Sequence, residues 1–167
     1  MSSFKYVTPY WRDSQEILGE GIKAYTGTTF FILNYNSVRA DIKIHFYDLE
    51  GNLNQDMQVD MLTPPNSVLD LRIVDIISSK NPNYRFSNNL KTGSMRIVSD
   101  VPLVISGKMY EGKSTSVGTE DLKVWSIPFE EVKVVPIDFE KIGGPIQIPV
   151  PDNGYKEYLG RKRPGQK

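Results

Sequence analysis

From Ala40 to Glu50 the chain reads ADIKIHFYDLE. Ile42, Ile44 and Phe46 alternate with Asp41, Lys43, His45 and Tyr47. That period of two puts the apolar side chains on one face of an extended chain and the polar ones on the other. A strand with one buried and one wet face must find neighbours for its backbone N–H and C=O groups. The feature therefore commits the chain to a sheet. Glu50, Gly51 and Asn52 then turn the chain.

The neighbours are legible. TTFFILN, ending at Asn34, is apolar at most positions and predicts a central strand covered on both sides. DMQVDMLT places Met57, Val59 and Met61 on one face, and Pro64-Pro65 break it, since proline donates no ladder bond. SVLDLRIV resumes alternation through Leu69, Leu71 and Ile73. VDIISSKNPN has room for one short helical turn. Further on, Met95 and Ile97 alternate with Ser94 and Arg96. Ser99-Asp100-Val101-Pro102 then predicts a tight reversal into LVISGKMY, a hairpin. LKVWSIPF and EVKVVPI are later strand candidates. With 13 glycines and 11 prolines punctuating the apolar runs, the pattern predicts an all-β fold, a two-sheet antiparallel β-sandwich over residues 1–138.

From Phe139 onward the composition turns rich in Pro and Gly and ends in basic residues. Residues 139–167 are expected to form an extended C-terminal tail or arm. Tyr155, Tyr158, Arg161, Lys162 and Arg163 are its candidate contacts with a neighbouring copy.

GKMYEGKS, Gly107 to Ser114, fits the pattern of a phosphate-binding loop. That loop works only where its glycines let N–H groups curl round phosphate at the start of a helix. After Ser114 comes TSVGTEDLKVWSIPF, which is β-branched, interrupted by Gly118, and back in strand pattern by Leu122. No helix of useful length fits, so Lys108 and Lys113 are expected to be surface lysines on a hairpin end and loop.

Composition narrows the remaining chemistry. There is no cysteine and one histidine, His45, so thiolate sites and histidine clusters have no ligands, and no metal or cofactor is expected. His45 reads as an exposed histidine on the polar face of its strand. The acid pairs Glu120-Asp121 and Glu130-Glu131 face opposite sides of a strand and read as solvated charges. No catalytic residue stands out, and the expectation is a protein that is not an enzyme. With 20 basic and 20 acidic residues, nothing draws the chain towards nucleic acid. The N-terminal MSSFKYVTPYWRDS lacks the pattern of a signal peptide, and no apolar run is long enough to cross a membrane. A cytoplasmic protein, or one carried in a particle assembled there, is expected.

Aromatic residues are the best binding candidates, because exposed rings stack on sugars or on protein partners. Tyr10, Trp11, Tyr47 and Tyr110 are singled out. Trp11, among polar residues in TPYWRDS, reads as the surface tryptophan, and Trp125 in KVWSIPF as the buried one.

Three segments carry a resemblance: Ile32-Leu33-Asn34, with Phe46-Tyr47 ending the following strand; Leu62-Thr63-Pro64; and Ser99-Asp100-Val101-Pro102-Leu103-Val104. In this order, over about residues 28–115, the chain resembles the sensory rhodopsin transducer family. The resemblance implies a compact β-sandwich, a small cytoplasmic protein, a symmetric homo-oligomer, and binding of a protein partner or a carbohydrate-like ligand in signalling. Asn34 carries over only as a strand-end residue. The family's basic pair after the proline is replaced by Pro65-Asn66, the stretch after the hairpin differs, and the tail has no counterpart, so the rhodopsin partner does not carry over. The alternative is a structural subunit of a phage-type particle or filament, held by its C-terminal arm.

Overall fold

The computed structural model describes residues 3–133. The boundary expected at 138/139, the strand start beyond Lys133 and the arm residues Tyr155, Tyr158, Arg161, Lys162 and Arg163 lie outside them. The described chain forms nine strands and one α-helix: β1 Phe4–Gly19, β2 Ile22–Asn34, β3 Ala40–Asp48, β4 Val59–Thr63, β5 Ser67–Arg72, α1 Ile73–Lys80, β6 Asn89–Ser99, β7 Val104–Thr115, β8 Gly118–Ile127 and β9 Glu130–Val132. Two 3-10 turns, Gln55–Met57 and Tyr84–Phe86, fall in the connections. The fold is all-β and sandwich-like, as expected.

The two layers are one curled sheet. All the strand pairs are antiparallel, and the main path runs β4-β3-β6-β1-β2-β7-β8, with β5 paired to β2 and β9 to β1. The join is the β1–β2 hairpin, closed at Gly21, whose φ of 71° suits glycine. Near its turn, Ser14 to Gly19 pair with Ile22 to Thr26. Farther along, the strands fork. β1 takes β9 as its second partner through Lys5, Tyr6 and Val7, and β2 takes β5 through Thr29 to Asn34. The fork opens just past Ser14, and the Thr28 side chain closes it. Its hydroxyl donates to Arg12 O at 2.8 Å and accepts from Arg12 N at 3.1 Å, so neither buried backbone group is orphaned.

Residues from both layers fill one core. Ile42, Ile44 and Phe46 of β3 are fully buried, as their alternation requires, together with Phe30 and Ile32 of β2, Met95 and Ile97 of β6, and Ile73 of α1. A helix is present where VDIISSKNPN left room for a short turn, but it is eight residues long and begins one residue earlier, at Ile73, which alternation had placed in the preceding strand. β2 is central, paired on both edges, with Phe31 and Leu33 half-buried on its second face.

Three expectations are corrected. Trp11, expected at a strand end on the surface, lies within β1, the longest of the described strands, whose alternation is broken by Pro9 and a bulge between Thr8 and Trp11. That strand carries Trp11 into the core, 1 % exposed, where its indole N–H donates to Ser94 O at 2.8 Å and its ring meets Phe46 edge-on. Trp125 is the exposed tryptophan, at 41 %, because among the described residues β8 pairs only with β7, and all its side chains but Ile127 are exposed. Finally, β6 and β7 are not a hairpin. β6 pairs with β1 and β3, and β7 with β2 and β8. Pro102 has no N–H to donate, and Leu103 N–H goes to the Tyr6 hydroxyl at 2.7 Å. The chain therefore crosses from one layer to the other.

The GKMYEGKS segment lies within β7, extended throughout and paired with β2 and β8; Lys113 stands opposite Glu120. A two-residue turn, and no helix, follows it.

Asn34 fixes the crossings. It is fully buried. Its amide nitrogen donates to Val38 O (2.9 Å), Thr63 O (3.2 Å) and Pro64 O (3.1 Å), and its Oδ1 accepts from Asn36 N (3.1 Å) and Nδ2 (2.8 Å). Asn36 Nδ2 also donates to Pro102 O at 2.7 Å. Asn34→Ala orphans several of these groups and should lower unfolding stability in urea by about 3 kcal/mol. Asn34→Asp, which sets a carboxylate against carbonyl oxygens, should cost more. An alanine variant within about 0.5 kcal/mol of wild type would show that the amide is dispensable.

Candidate functional site

Asp13 and Gln15 alternate with Ser14 on β1, so both point to one face. They are 2 % and 4 % exposed. Across the hairpin, Gln15 stands opposite Tyr25 and Ile17 opposite Lys23. On the next strand Lys23 stands opposite Ser114, Tyr25 opposite Gly112, and Gly27 opposite Tyr110. Cross-strand partners share a face, so the register alone gathers Asp13, Gln15, Lys23, Tyr25, Tyr110 and Ser114 on one side of three strands.

Two glycines shape that face. A Cβ at Gly27 would lie 2.5 Å from the Tyr110 ring, and one at Gly112 would lie 3.0 Å from the Tyr25 hydroxyl. Each tyrosine thus lies across the glycine opposite it. The two rings meet edge to face, with centroids 6.1 Å apart.

The second 3-10 turn closes one side. Tyr84 is buried, and its hydroxyl donates to Asp13 Oδ1 at 2.8 Å. Lys23 Nζ donates to Gln15 Oε1 at 2.9 Å and to Arg85 O at 3.3 Å. The Arg85 guanidinium pairs with Asp75 of α1. Arg72, at the end of β5, completes the rim. The result is a pocket of about 410 Å³ with a buried polar floor, tyrosine walls and a basic rim of Lys23, Arg72 and Arg85. On the opposite face, a cleft of about 330 Å³ carries balanced charges: Arg12, Lys113 and Lys123 against Glu16, Glu111 and Asp121.

Burial sets the electrostatics. It pushes the Asp13 carboxyl up to about 6, against the hydrogen bonds from Tyr84 and Gln15 and the charges of Lys23 and Arg85. Burial and the neighbouring Arg85 hold Lys23 below the ordinary lysine value. Burial, then the Asp13 charge, raises the Tyr84 phenol, which stays a donor at neutral pH. Tyr110 is raised for the same two leading reasons.

Of the four aromatic candidates, the structure brings Tyr110 to this pocket. Tyr10 lies exposed beside the β1 bulge. Tyr47 lies half-buried on β3, with the Arg96 guanidinium 5.0 Å from its ring centre. Trp11 is in the core. His45, read as exposed, is half-buried opposite Arg96. Asp13, Gln15, Lys23, Arg72, Tyr84 and Arg85 were not singled out in the sequence. Among the described residues no group of three or more His, Asp or Glu side chains could hold a metal ion, and no helix is long and apolar enough to cross a membrane.

No protein-family model matches the chain, and no curated protein matches it. Several solved chains are similar. One is Thermotoga maritima 1070, 15 % identical over 78 % of this chain and 97 % of that one, with a TM-score of 0.44. Another is the Anabaena sensory rhodopsin transducer, 15 % identical over 59 % of this chain and 93 % of that one, with a TM-score of 0.36. The second belongs to the family that the sequence motifs resemble, so the resemblance is met over a segment. Neither likeness says anything of ligand, partner or activity.

The raised Asp13 has a consequence for stability. The folded protein releases this proton near pH 6, the unfolded chain near 3.8. Folding therefore favours the protonated form. The stability it contributes is full below about pH 3.8 and is lost as pH rises through about 6. Asp13→Asn, which mimics the neutral form, should raise stability at pH 7 by on the order of 2 kcal/mol. It should also flatten the pH dependence between about 4 and 6 in urea titrations. A variant less stable than wild type at pH 7, with its pH slope intact, would contradict this.

Proposed function

We propose that this chain is a non-enzymatic binding module, and that the pocket floored by Asp13 and Gln15 receives a small polar, carbohydrate-like ligand. The observation that carries the reading is the convergence of buried hydrogen-bonding groups beneath two tyrosine rings in one concave site. Sites for small ligands combine enclosure with a few placed polar groups. Tyrosine faces suit the apolar face of a sugar ring, and buried carboxylate and amide groups suit its hydroxyls.

Binding is favoured over turnover because Asp13 already accepts from a phenol that keeps its proton. The carboxylate is thereby held as a fixed acceptor. Action as a homo-oligomer in the cytoplasm, in a signalling role, is part of the same proposal. The oligomer part is supported by an exposed apolar row across three strands, where Leu33 stands between Val68 (62 % exposed) and Val104 (55 %). Such a row suits contact with another protein surface.

The test is an NMR titration of the full chain with a panel of neutral and acidic monosaccharides and disaccharides. Shifts should cluster at Lys23, Tyr25 and Tyr110. Gly27→Ala displaces only the far end of the Tyr110 side chain and should weaken binding at least about fivefold while the protein stays folded. A panel that leaves these residues unmoved sinks the pocket reading. Turnover of any panel member that Asp13→Asn abolishes would overturn the non-enzymatic part.

A further inference from the structure

We propose that the ligand of this pocket carries an oxyanion, a carboxylate or a phosphate on a hydroxylated body, seated between Lys23, Arg72 and Arg85. This rests on the pocket reading and adds the charge of the ligand to it.

Three cations from three separate elements meet on one rim: Lys23 from β2, Arg72 from the end of β5, and Arg85 from the 3-10 turn. Among the described residues, only Arg85 of the three has a carboxylate within salt-bridge distance, Asp75. Lys23 instead spends its donors on the Gln15 amide oxygen and the Arg85 carbonyl. Its ammonium group is crowded by the Arg85 charge and partly stripped of water. Like charges held together in a half-buried place cost free energy that an incoming anion relieves. A guanidinium offers a planar pair of donors that matches carboxylate or phosphate oxygens. The Tyr25 and Tyr110 hydroxyls, Ser114 and Thr119 line the rest of the pocket and suit the hydroxyls of the same ligand.

Asp13 sets the sign of the pH dependence. Besides Tyr84 and Arg85 from the 3-10 turn, it faces Lys23 and Tyr25 of β2, Tyr110 of β7, and Lys91 opposite it on β6; Asp75 of α1 is held by Arg85. As an ion, Asp13 opposes a bound anion; once protonated, it does not. Affinity for the anion should therefore rise as pH falls through about 6.

The experiment compares matched pairs by calorimetry on the full chain: galacturonate against galactose, and glucose 6-phosphate against glucose. Inorganic phosphate alone separates a free anion from one borne on a sugar. The acidic member of at least one pair should bind about tenfold more tightly than its neutral twin. That preference should shrink to about threefold or less in Arg72→Gln and in Lys23→Gln. On the galacturonate pair, whose carboxylate stays ionised throughout, it should grow in wild type between about pH 7.5 and 5.5, and in Asp13→Asn it should not. Equal binding of acidic and neutral twins would overturn the oxyanion seat and leave the pocket reading standing. A preference that survives both substitutions places the seat elsewhere and also overturns it. No binding by any member of the panel, with the pocket residues unmoved in the NMR titration, removes both.

Discussion

The buried amide of Asn34 holds the two layers in register. Three connections pass between layers at its end of the molecule: β2 to β3, β4 to β5, and β6 to β7. Asn34 grips the first two directly, through Val38 O, Thr63 O and Pro64 O, and the third through Asn36 and Pro102 O. An unpartnered amide or carbonyl in this position would cost about as much as a whole core side chain contributes. The network is complete only when all three crossings are in place. The network thus ties together ILN, LTPP and SDVP, three segments far apart in the chain.

Much of the fold was legible because alternation reports burial directly. Ile42, Ile44 and Phe46 read as a core-facing row and are one. Gly51 read as a turn residue and has a φ of 87°. The phosphate-loop pattern failed for the physical reason given, the lack of a helix to present N–H groups. What was not legible came from two sources. A bulge at Pro9-Tyr10 shifts the phase of β1 by one residue, so a strand of 16 residues looks like a polar loop with a stray tryptophan. The pairing of strands distant in sequence is not written in any local stretch. SDVP has the chemistry of a hairpin turn, and only the partners of β6 and β7 show that it serves as a crossing.

The same limits hid the pocket. Asp13 and Gln15 sit in the strand whose period was broken. Lys23 and Tyr25 lie before the apolar run that marks β2, Arg72 ends β5, and Tyr84 and Arg85 follow α1. No spacing rule joins them. The one legible hint was the Gly/Tyr chemistry. Tyr110, next to GKS, drew notice as an aromatic residue, but the reason it lies flat is Gly27, opposite it on β2. Burial of Asp13 then follows from the Tyr84 hydroxyl that covers it. The cost of keeping that carboxylate in place is spread over a tyrosine, a glutamine, a lysine and an arginine.

The fork in the β1–β2 hairpin has a mechanical meaning. Each of these strands serves both halves of the sheet, and the Thr28 hydroxyl rivets the place where they part. Neither half can loosen while the other stays whole, since each is built on the same two threads. Amide protons deep in the two halves should therefore be released together, in a single opening of the whole domain, and the pocket beside the rivet inherits that rigidity.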